Sequence, residues 1–199
     1  MKPLSSCAAL LLIVSLQAHA DSFDVNMNNT SAQFKAGISA SGLGDGNAEI
    51  QGRLLYNDSG DQLIDVGPVV QGPGGGGGGG EDGGGAAGKI AGGGLRFLVA
   101  NSHQPGTTYT LMCLCLGAEF GFALPTSVPL AVIADYAAAP KILAFADAER
   151  YNQYGIRLEF GASQNAKIYF GYREVGFGVK NFGSIILDKG SHVGLAVAF

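Results

Sequence analysis

Histidine is the side chain best suited to acid–base catalysis near neutral pH, and His103 and His192 follow the N-terminal apolar segment of this chain. A histidine base activates a nucleophile only when a partner lies within hydrogen-bond reach. His103 precedes Gln104-Pro105 and His192 precedes Val193-Gly194, so neither forms a His-x-Ser arrangement, and no Asp stands two residues from either. We therefore expect a solvated loop histidine at position 103, and we predict that the chain is not an enzyme.

Cys113 and Cys115 are separated by one residue in a segment of alternating polarity. On a strand, residues i and i+2 point to the same face, and their Cα atoms lie roughly 6.6 Å apart at a rise of ~3.3 Å per residue. That separation is near the upper limit for a disulfide. We interpret the two as small residues on the interior face of a strand, with a strained redox pair or a metal site as the alternative. Since no other metal-ligand spacing occurs in the sequence, we expect no metal and no cofactor.

Residues 1–20 have the layout of a secretory signal peptide. Lys2 supplies the positive start, residues 7–16 are mostly apolar, and Ala18-His19-Ala20 matches the A-x-A cleavage pattern. The apolar part is too short to cross a membrane as a helix. A buried N-terminal helix is the alternative. We predict cleavage after Ala20, which leaves residues 21–199, or 199 − 20 = 179 residues, as one exported domain.

The low charge of the chain points toward a membrane and away from nucleic acid. Charged residues are 14% of the sequence, against about 25% in an average soluble domain. Without Lys2 there are 12 − 1 = 11 basic and 16 acidic side chains, a net charge of −5, whereas nucleic-acid binding needs a basic surface. A helical span needs roughly 18 apolar residues, and the best segment, 128–146, is interrupted by Asp135, Pro140 and Lys141. A β-barrel spans a membrane without such a run, because its strands need only about 9–11 residues.

Ten segments alternate between apolar and polar residues, as strands with one face toward lipid do. In the clearest segment, 154–161, Ile156 and Leu158 alternate with Arg157 and Glu159. Pro68 weakens the fourth segment, because Pro cannot donate to a strand ladder. The ten segments are 23–27, 32–41, 48–56, 62–70, 91–101, 108–122, 128–138, 154–161, 167–173 and 192–199. We predict an all-β fold, an antiparallel up-and-down transmembrane β-barrel of ten strands, with eight or twelve strands as alternatives.

The connections between these segments predict which end of the barrel lies in the periplasm. Bacterial outer-membrane barrels have short periplasmic turns and longer outer loops. With the first strand starting in the periplasm, the short connections 41–47, 123–127 and 163–165 fall on that side, and the longer ones near 101–107, 139–152 and 175–191 fall outside. The exception is the segment at about 71–89, which contains the run from Gly74 to Gly80. We interpret it as a flexible Gly-rich linker, since it lacks the order of a phosphate-binding loop.

The C-terminus carries the pattern that barrel-assembly machinery recognises in a last strand, polar-x-Gly-x-x-apolar-x-aromatic. His192, Gly194, Val197 and Phe199 occupy its positions. A terminal strand must present edge groups during insertion and then close the barrel. These four residues are the predicted C-terminal insertion signal.

The chain from residue 21 onward resembles the YfaZ family of outer-membrane proteins. Segments 154–158, 168–173 and 192–199 carry the likeness, together with the Gly-rich segment 91–94. The run from Gly74 to Gly80 and the Cys113-x-Cys115 motif are departures from the family. The resemblance implies a small outer-membrane barrel, and it implies no catalytic residues.

Charged residues on the polar face of the strands are predicted to point into the lumen. A barrel of about ten strands is narrow, so its interior charges must be paired unless water reaches them. We expect Arg157 and Glu159 to pair across strands with Lys167 and Arg173. The predicted lumen charges are Lys35, Arg53, Arg96, Arg157, Lys167, Arg173, Asp24, Glu49, Asp65, Glu119, Asp135 and Glu159.

These features together predict a protein of the bacterial outer membrane, of structural or interaction type, with a largely filled and charge-paired lumen. The alternative is a narrow porin-like channel for ions or small solutes. The expected partners are outer-membrane lipid and the barrel-assembly machinery, with small solutes added if the lumen conducts. The sequence carries no sign of an oligomeric state.

Overall fold

The computed structural model describes residues 20–40, 48–71 and 89–199. The segments that alternate between apolar and polar residues form β-strands, and the described residues also include one short 3₁₀ turn at Lys141–Leu143. Among the described residues, no helix is long and apolar enough to cross a membrane. The strands are β1 (Ser22–Met27), β2 (Ser31–Ser39), β3 (Ala48–Asn57), β4 (Gln62–Gln71), β5 (Lys89–Gln104), β6 (Thr107–Ala123), β7 (Leu130–Ala139), β8 (Ala144–Ala146), β9 (Ala148–Gly161), β10 (Ala166–Val179) and β11 (Gly183–Ala198).

The sheet closes on itself, because β1 pairs with β2 on one side and with β11 on the other. All the strand pairs of the described residues are antiparallel, and each of the ten strands that form the ring has a partner on both sides. Near the closure, the Phe199 N–H donates to the Asp21 carbonyl at 2.9 Å. The Ser39 N–H donates to the Asp21 carboxylate, which lowers the pKa of that carboxyl. The predicted antiparallel barrel of ten strands is confirmed, and we call the end that holds residues 21 and 199 the terminal end.

The eleventh strand, β8, continues β7 along β6 and adds no further position around the barrel. Pro140 follows β7 directly and has no N–H to donate to the ladder. The chain leaves the sheet through the turn Lys141–Leu143 and rejoins β6 where Ala144 pairs with Cys113. The predicted long connection at 139–152 therefore contains β8 and the beginning of β9.

Short turns join the strands at the end opposite the termini, which we call the far end. Residues 28–30, 58–61, 105–106 and 180–182 form four of them. At 105–106 Gly106 has a φ of 82°, which a residue without Cβ adopts at no steric cost. The prediction of longer connections near 101–107 and 175–191 was wrong, because β5, β6, β10 and β11 continue almost to their turns. At the terminal end, the connection 41–47 and the Gly-rich residues 72–88 lie outside the described residues.

The outer surface is apolar along the middle of the strands. Phe170 on β10 lies opposite Leu158 on β9, and both point outward with exposed fractions of 59% and 45%. Ile156 and Ile168 are likewise exposed, whereas Glu159 and Arg173 on the same strands are buried. Because the side-chain period of a strand is two, the register of these strands fixes which set faces outward. Other exposed apolar residues of this belt are Ile50, Leu54, Ile64, Val66, Leu95, Phe97, Leu116, Phe120, Val193 and Leu195.

Candidate functional site in the barrel interior

The barrel interior is divided along its axis into an apolar core at the far end and a charged vestibule at the terminal end. The vestibule is a cavity of about 290 Å³ whose lining includes Gln164 and Asn165 of the terminal-end turn. The apolar core consists of Leu55, Leu63, Leu98, Ala100, Leu111, Cys113, Cys115, Ala137, Ala139, Ala148, Tyr151, Val175, Phe177, Val179, Ile185 and Leu187.

The apolar core fills the far end with packed side chains. Tyr151 and Phe177 are 0% and 2% exposed, and their ring centroids are 4.9 Å apart in a tilted arrangement. Leu98 and Leu111, from neighbouring strands, are also fully buried. A barrel of this size has an interior that side chains can fill, and here apolar ones do so. These side chains therefore occupy the middle of the lumen at the far end of the described barrel.

Cys113 and Cys115 lie within this apolar core and are free thiols. Both point inward from β6, at 0% and 1% exposure, in line with their interpretation as small interior residues. Among the described residues no group of three or more His, Cys, Asp or Glu side chains is arranged to hold a metal ion.

A buried ion pair lies at the boundary between the apolar core and the vestibule. Arg53 of β3 contacts Asp65 of β4 directly, and both side chains are 2% exposed. The Arg53 guanidinium also donates to Gln153 and, at 3.1 Å, to the Tyr151 hydroxyl. Gln153 in turn donates to Asp135 in the vestibule at 3.0 Å. Within β9, the Tyr151 hydroxyl also donates to Gln153 at 2.7 Å. The other hydrogen bonds of this network join different strands, so the network fixes the polar floor of the vestibule.

Arg173 takes part in a second buried network near β1 and β11. Its Nε donates to Asp188 at 2.7 Å, and its Nη1 donates to Asn26 at 2.9 Å. The Ser31 hydroxyl donates to the same Asp188 carboxylate at 2.7 Å. Arg173 was expected to pair with β9, but its direct partner there is Gly155, which offers no side chain. Asp188 was not among the predicted lumen charges, because the sequence analysis assigned residues 175–191 to a connection. The signal that could have identified it is its position on β11, between Ile186 and the alternating segment that begins at His192.

Arg157 organises the charges of the vestibule. Its guanidinium lies 2.7 Å from Glu159, 3.0 Å from Glu119 and 3.8 Å from Asp135. Lys167 of β10 lies 3.5 Å from the other oxygen of Glu159. Thus Arg157 pairs with Glu159 on its own strand and reaches past the neighbouring β7 to Glu119 of β6, while Lys167 makes the predicted cross-strand pair with Glu159.

The remaining predicted lumen charges also line the vestibule. Glu49 accepts hydrogen bonds from Ser22 and, at 2.9 Å, from Gln51. The Tyr169 hydroxyl donates to Asp24 at 2.6 Å. Lys35 and Arg96 line the same cavity, and within the described part of the chain neither has an ion-pair partner.

The four residues of the predicted insertion signal have different environments. His192 points inward and is 6% exposed, whereas Phe199 is 68% exposed at the terminal end. Gly194 lies opposite Tyr169, whose ring occupies the space that a Cβ at Gly194 would need. Val197 pairs with Phe23 of β1 where the barrel closes. The glycine of this pattern thus has a packing role here; its role in insertion stays a prediction.

Comparison with solved structures yields a weak structural likeness to a porin. No family model and no curated protein matches the sequence, so membership of the YfaZ family stays a prediction. The chain is similar to a solved structure described as the NanC porin in a rhombohedral crystal form. The identity is 8%, the match covers 89% of this chain and 97% of that one, and the TM-score is 0.39.

Proposed function

We propose that this chain is an outer-membrane β-barrel of structural or interaction type that is closed to the passage of solutes. The observation that carries the proposal is the apolar core, which fills the far end of the lumen. The vestibule then forms a recess that is open at the terminal end only.

The outer surface supports the membrane location. Exposed apolar residues such as Phe120, at 60%, and Ile64, at 56%, surround the barrel. Continuous apolar surface of this extent is rare on soluble monomers and is typical of a surface covered by lipid. Strands β3, β4 and β7 have 10 residues each and β2 has 9, the length that a tilted spanning strand needs, whereas β1 has 6. Lipid is accordingly the first partner of the proposal, with barrel-assembly machinery, acting on the C-terminal strand, as the second.

The interior supports closure over conduction. A narrow channel, the alternative that the sequence left open, needs a continuous path for water between charged walls. At the far end the interior is occupied mainly by apolar side chains, among them the buried Leu98, Leu111 and Phe177. Most of the charged residues of the interior line the vestibule or belong to the networks of Arg53 and Arg173. Beside the far-end turn, Asp61 is buried and accepts hydrogen bonds from Asn57 and from the His103 N–H.

Single-channel recording of the refolded protein in planar bilayers tests the proposal. We expect no conductance steps from the wild-type barrel, whose folding is checked by its heat-modifiable migration on gels. Truncation of the apolar core in the triple variant Leu98→Ala, Leu111→Ala and Phe177→Ala should allow discrete steps to appear. The matched control Phe120→Ala removes a lipid-facing ring of equal size and should stay silent. Steps from the wild-type protein would overturn the closed barrel in favour of the narrow channel.

Location is tested separately by cell fractionation. We expect the chain in the outer-membrane fraction, with Asp21 as its N-terminal residue by mass spectrometry. Deletion of Phe199 should leave protease-sensitive chain in the periplasm if the assembly machinery reads that residue. A chain that retains Met1 and stays in the cytoplasm would contradict the membrane location.

A further inference from the structure

The carboxylates that line the vestibule are already satisfied by donors of the barrel. Each of the five accepts at least one hydrogen bond, so none needs a ligand to compensate for its partial burial. The donors are Tyr169 for Asp24, Ser22 for Glu49, Arg157 for Glu119 and Glu159, and Gln153 for Asp135.

Two of the cations in the same cavity are not satisfied in this way. Lys35 and Arg96 line the vestibule, and among the described residues no carboxylate forms an ion pair with either. The Nε atom of Arg96 is shielded from solvent and has no acceptor there. By contrast, Arg157 and Lys167 are both paired with Glu159. The vestibule therefore contains N–H donors on Lys35 and Arg96 that form no ion pair within the described residues, although Asp24 lies opposite Lys35 in the register of β1 and β2.

The wall beside Arg96 leaves room for a ligand. Gly92, Gly93 and Gly94 of β5 and Gly117 of β6 line the cavity there. A Cβ built on Gly117 would lie 3.8 Å from Nη2 of Arg96 and 3.6 Å from the Cβ of Ala137, so the guanidinium lies beside a wall of glycine backbone and a small side chain. The volume of about 290 Å³ is at the lower end of the range for small-molecule sites, roughly 300–1,000 Å³. Space and free donors thus occur at the same place.

We infer that the vestibule binds a small organic anion whose carboxylate or phosphate group lies between Arg96 and Lys35. The planar guanidinium of Arg96 can donate two parallel hydrogen bonds to such a group, and the Lys35 ammonium adds a second charge. The partly enclosed cavity strengthens both interactions, because water screens them less than at an open surface. This inference rests on the vestibule of the proposed function, and its test measures binding in place of conductance.

The test is a titration of the full barrel, folded in a non-ionic detergent, followed by saturation-transfer NMR of the added probe. Succinate probes for a carboxylate site and sn-glycerol 3-phosphate for a phosphate site, with neutral glycerol as the uncharged control. The variants Arg96→Gln and Lys35→Gln each remove one charge. Lys141→Gln is the matched control, since Lys141 is exposed beside the far-end turn and pairs with Glu149.

We expect saturable binding of at least one anionic probe and none of glycerol. Each vestibule variant should weaken that binding by about tenfold or more, as loss of a hydrogen bond to a charged group does, whereas Lys141→Gln should bind as wild type. If Arg96→Gln fails to fold, Arg96→Lys should fold and retain weakened binding. Absence of saturation by both anions, or unchanged binding in both vestibule variants, would overturn the inference. A silent bilayer recording with no binding would leave the closed barrel standing and remove the anion site alone.

Discussion

The apolar core and the charged vestibule are built from the same strands, often from residues only a few positions apart. On β5, Leu98 belongs to the core while Arg96, two residues away on the same face, lines the vestibule. On β9, Tyr151 belongs to the core and Arg157 to the vestibule. Strand alternation therefore decides whether a side chain points inward, but the position along the strand decides whether it meets apolar groups or water. A charge without a partner is tolerated only on the side that water reaches.

The physical cause of this division is the cost of burying charge in a narrow lumen. Arg53 and Asp65, at the boundary, are almost fully buried and lie in direct contact. Arg96, closer to the open end, has no such partner among the described residues. The dielectric environment changes over this short distance, and the pairing of charges changes with it.

The sharpest test of the comparison is the reactivity of thiols in the two halves. Cys113 and Cys115 in the apolar core should react with a water-soluble thiol reagent only when the barrel opens. A single cysteine at Gln51→Cys, in a background with both native cysteines changed to Ala, should react freely in the vestibule. Because opening the core of a stable domain costs ~5 kcal/mol or more, we expect at least on the order of a thousandfold difference in rate. Equal rates, followed by absorbance of the released thiolate, would show that water fills both halves.

The second test removes one partner of the ion pair at the boundary. Arg53→Met leaves Asp65 buried without its counter-ion and should lower the free energy of unfolding by about 3–5 kcal/mol. The measurement is urea unfolding of the refolded barrel in lipid vesicles. Lys141→Met breaks the exposed pair with Glu149 and should cost no more than about 1 kcal/mol. A similarly small loss of unfolding free energy in both variants would mean that water reaches Arg53 at the boundary between the apolar core and the vestibule.

The third test compares packing inside and outside the barrel. Leu98→Ala deletes a fully buried side chain of the apolar core and should destabilise the barrel by about 2–5 kcal/mol through lost contacts and a residual cavity. Leu158→Ala deletes the same atoms from the outer surface, where Leu158 is 45% exposed and lipid can fill the gap. Its cost should be clearly smaller in the same unfolding assay. If the two costs are equal, the far-end core is not tightly packed.

The sequence supports prediction of the barrel much better than prediction of its two halves. The alternation of apolar and polar residues over 154–161 and 167–173 identified these strands. The two-residue period of a strand then places Leu158 and Arg157 on opposite faces. Strand ends were harder to predict, because Phe177 and Asp188 lie in a part of the chain where Gly residues and the irregularity between Val175 and Gly176 interrupt the alternation.

The nature of the lumen could not be read from alternation alone. Leu98 and Leu111 lie on the same inward faces of their strands as Arg96 and Cys113. An apolar residue that points into a barrel breaks the alternation of apolar and polar residues, and the local sequence does not show whether it belongs to a core. Pairing was equally hidden, since Arg157 of β9 reaches past the neighbouring β7 to Glu119 of β6. The hydrogen bond from Arg173 to Asn26 depends in addition on the pairing of β1 with β11 that closes the barrel, which no segment of the sequence encodes by itself.

The smallest expected effect is the loss of the Arg96 charge in the vestibule. Arg53→Met removes a counter-ion from a buried carboxylate, whereas Arg96→Gln leaves no described carboxylate without its partner. The substitution keeps a polar group beside Gly117 and removes the Nε–H of Arg96, which has no acceptor. We therefore expect a change of no more than about 0.5 kcal/mol in the free energy of unfolding, in the range of ordinary partly exposed substitutions. Urea unfolding at low and high salt measures it, and a salt-independent loss of several kcal/mol would show that Arg96 is held by an internal partner. A small change would instead mean that Arg96 contributes little to the folded barrel and that its charge is available to a ligand.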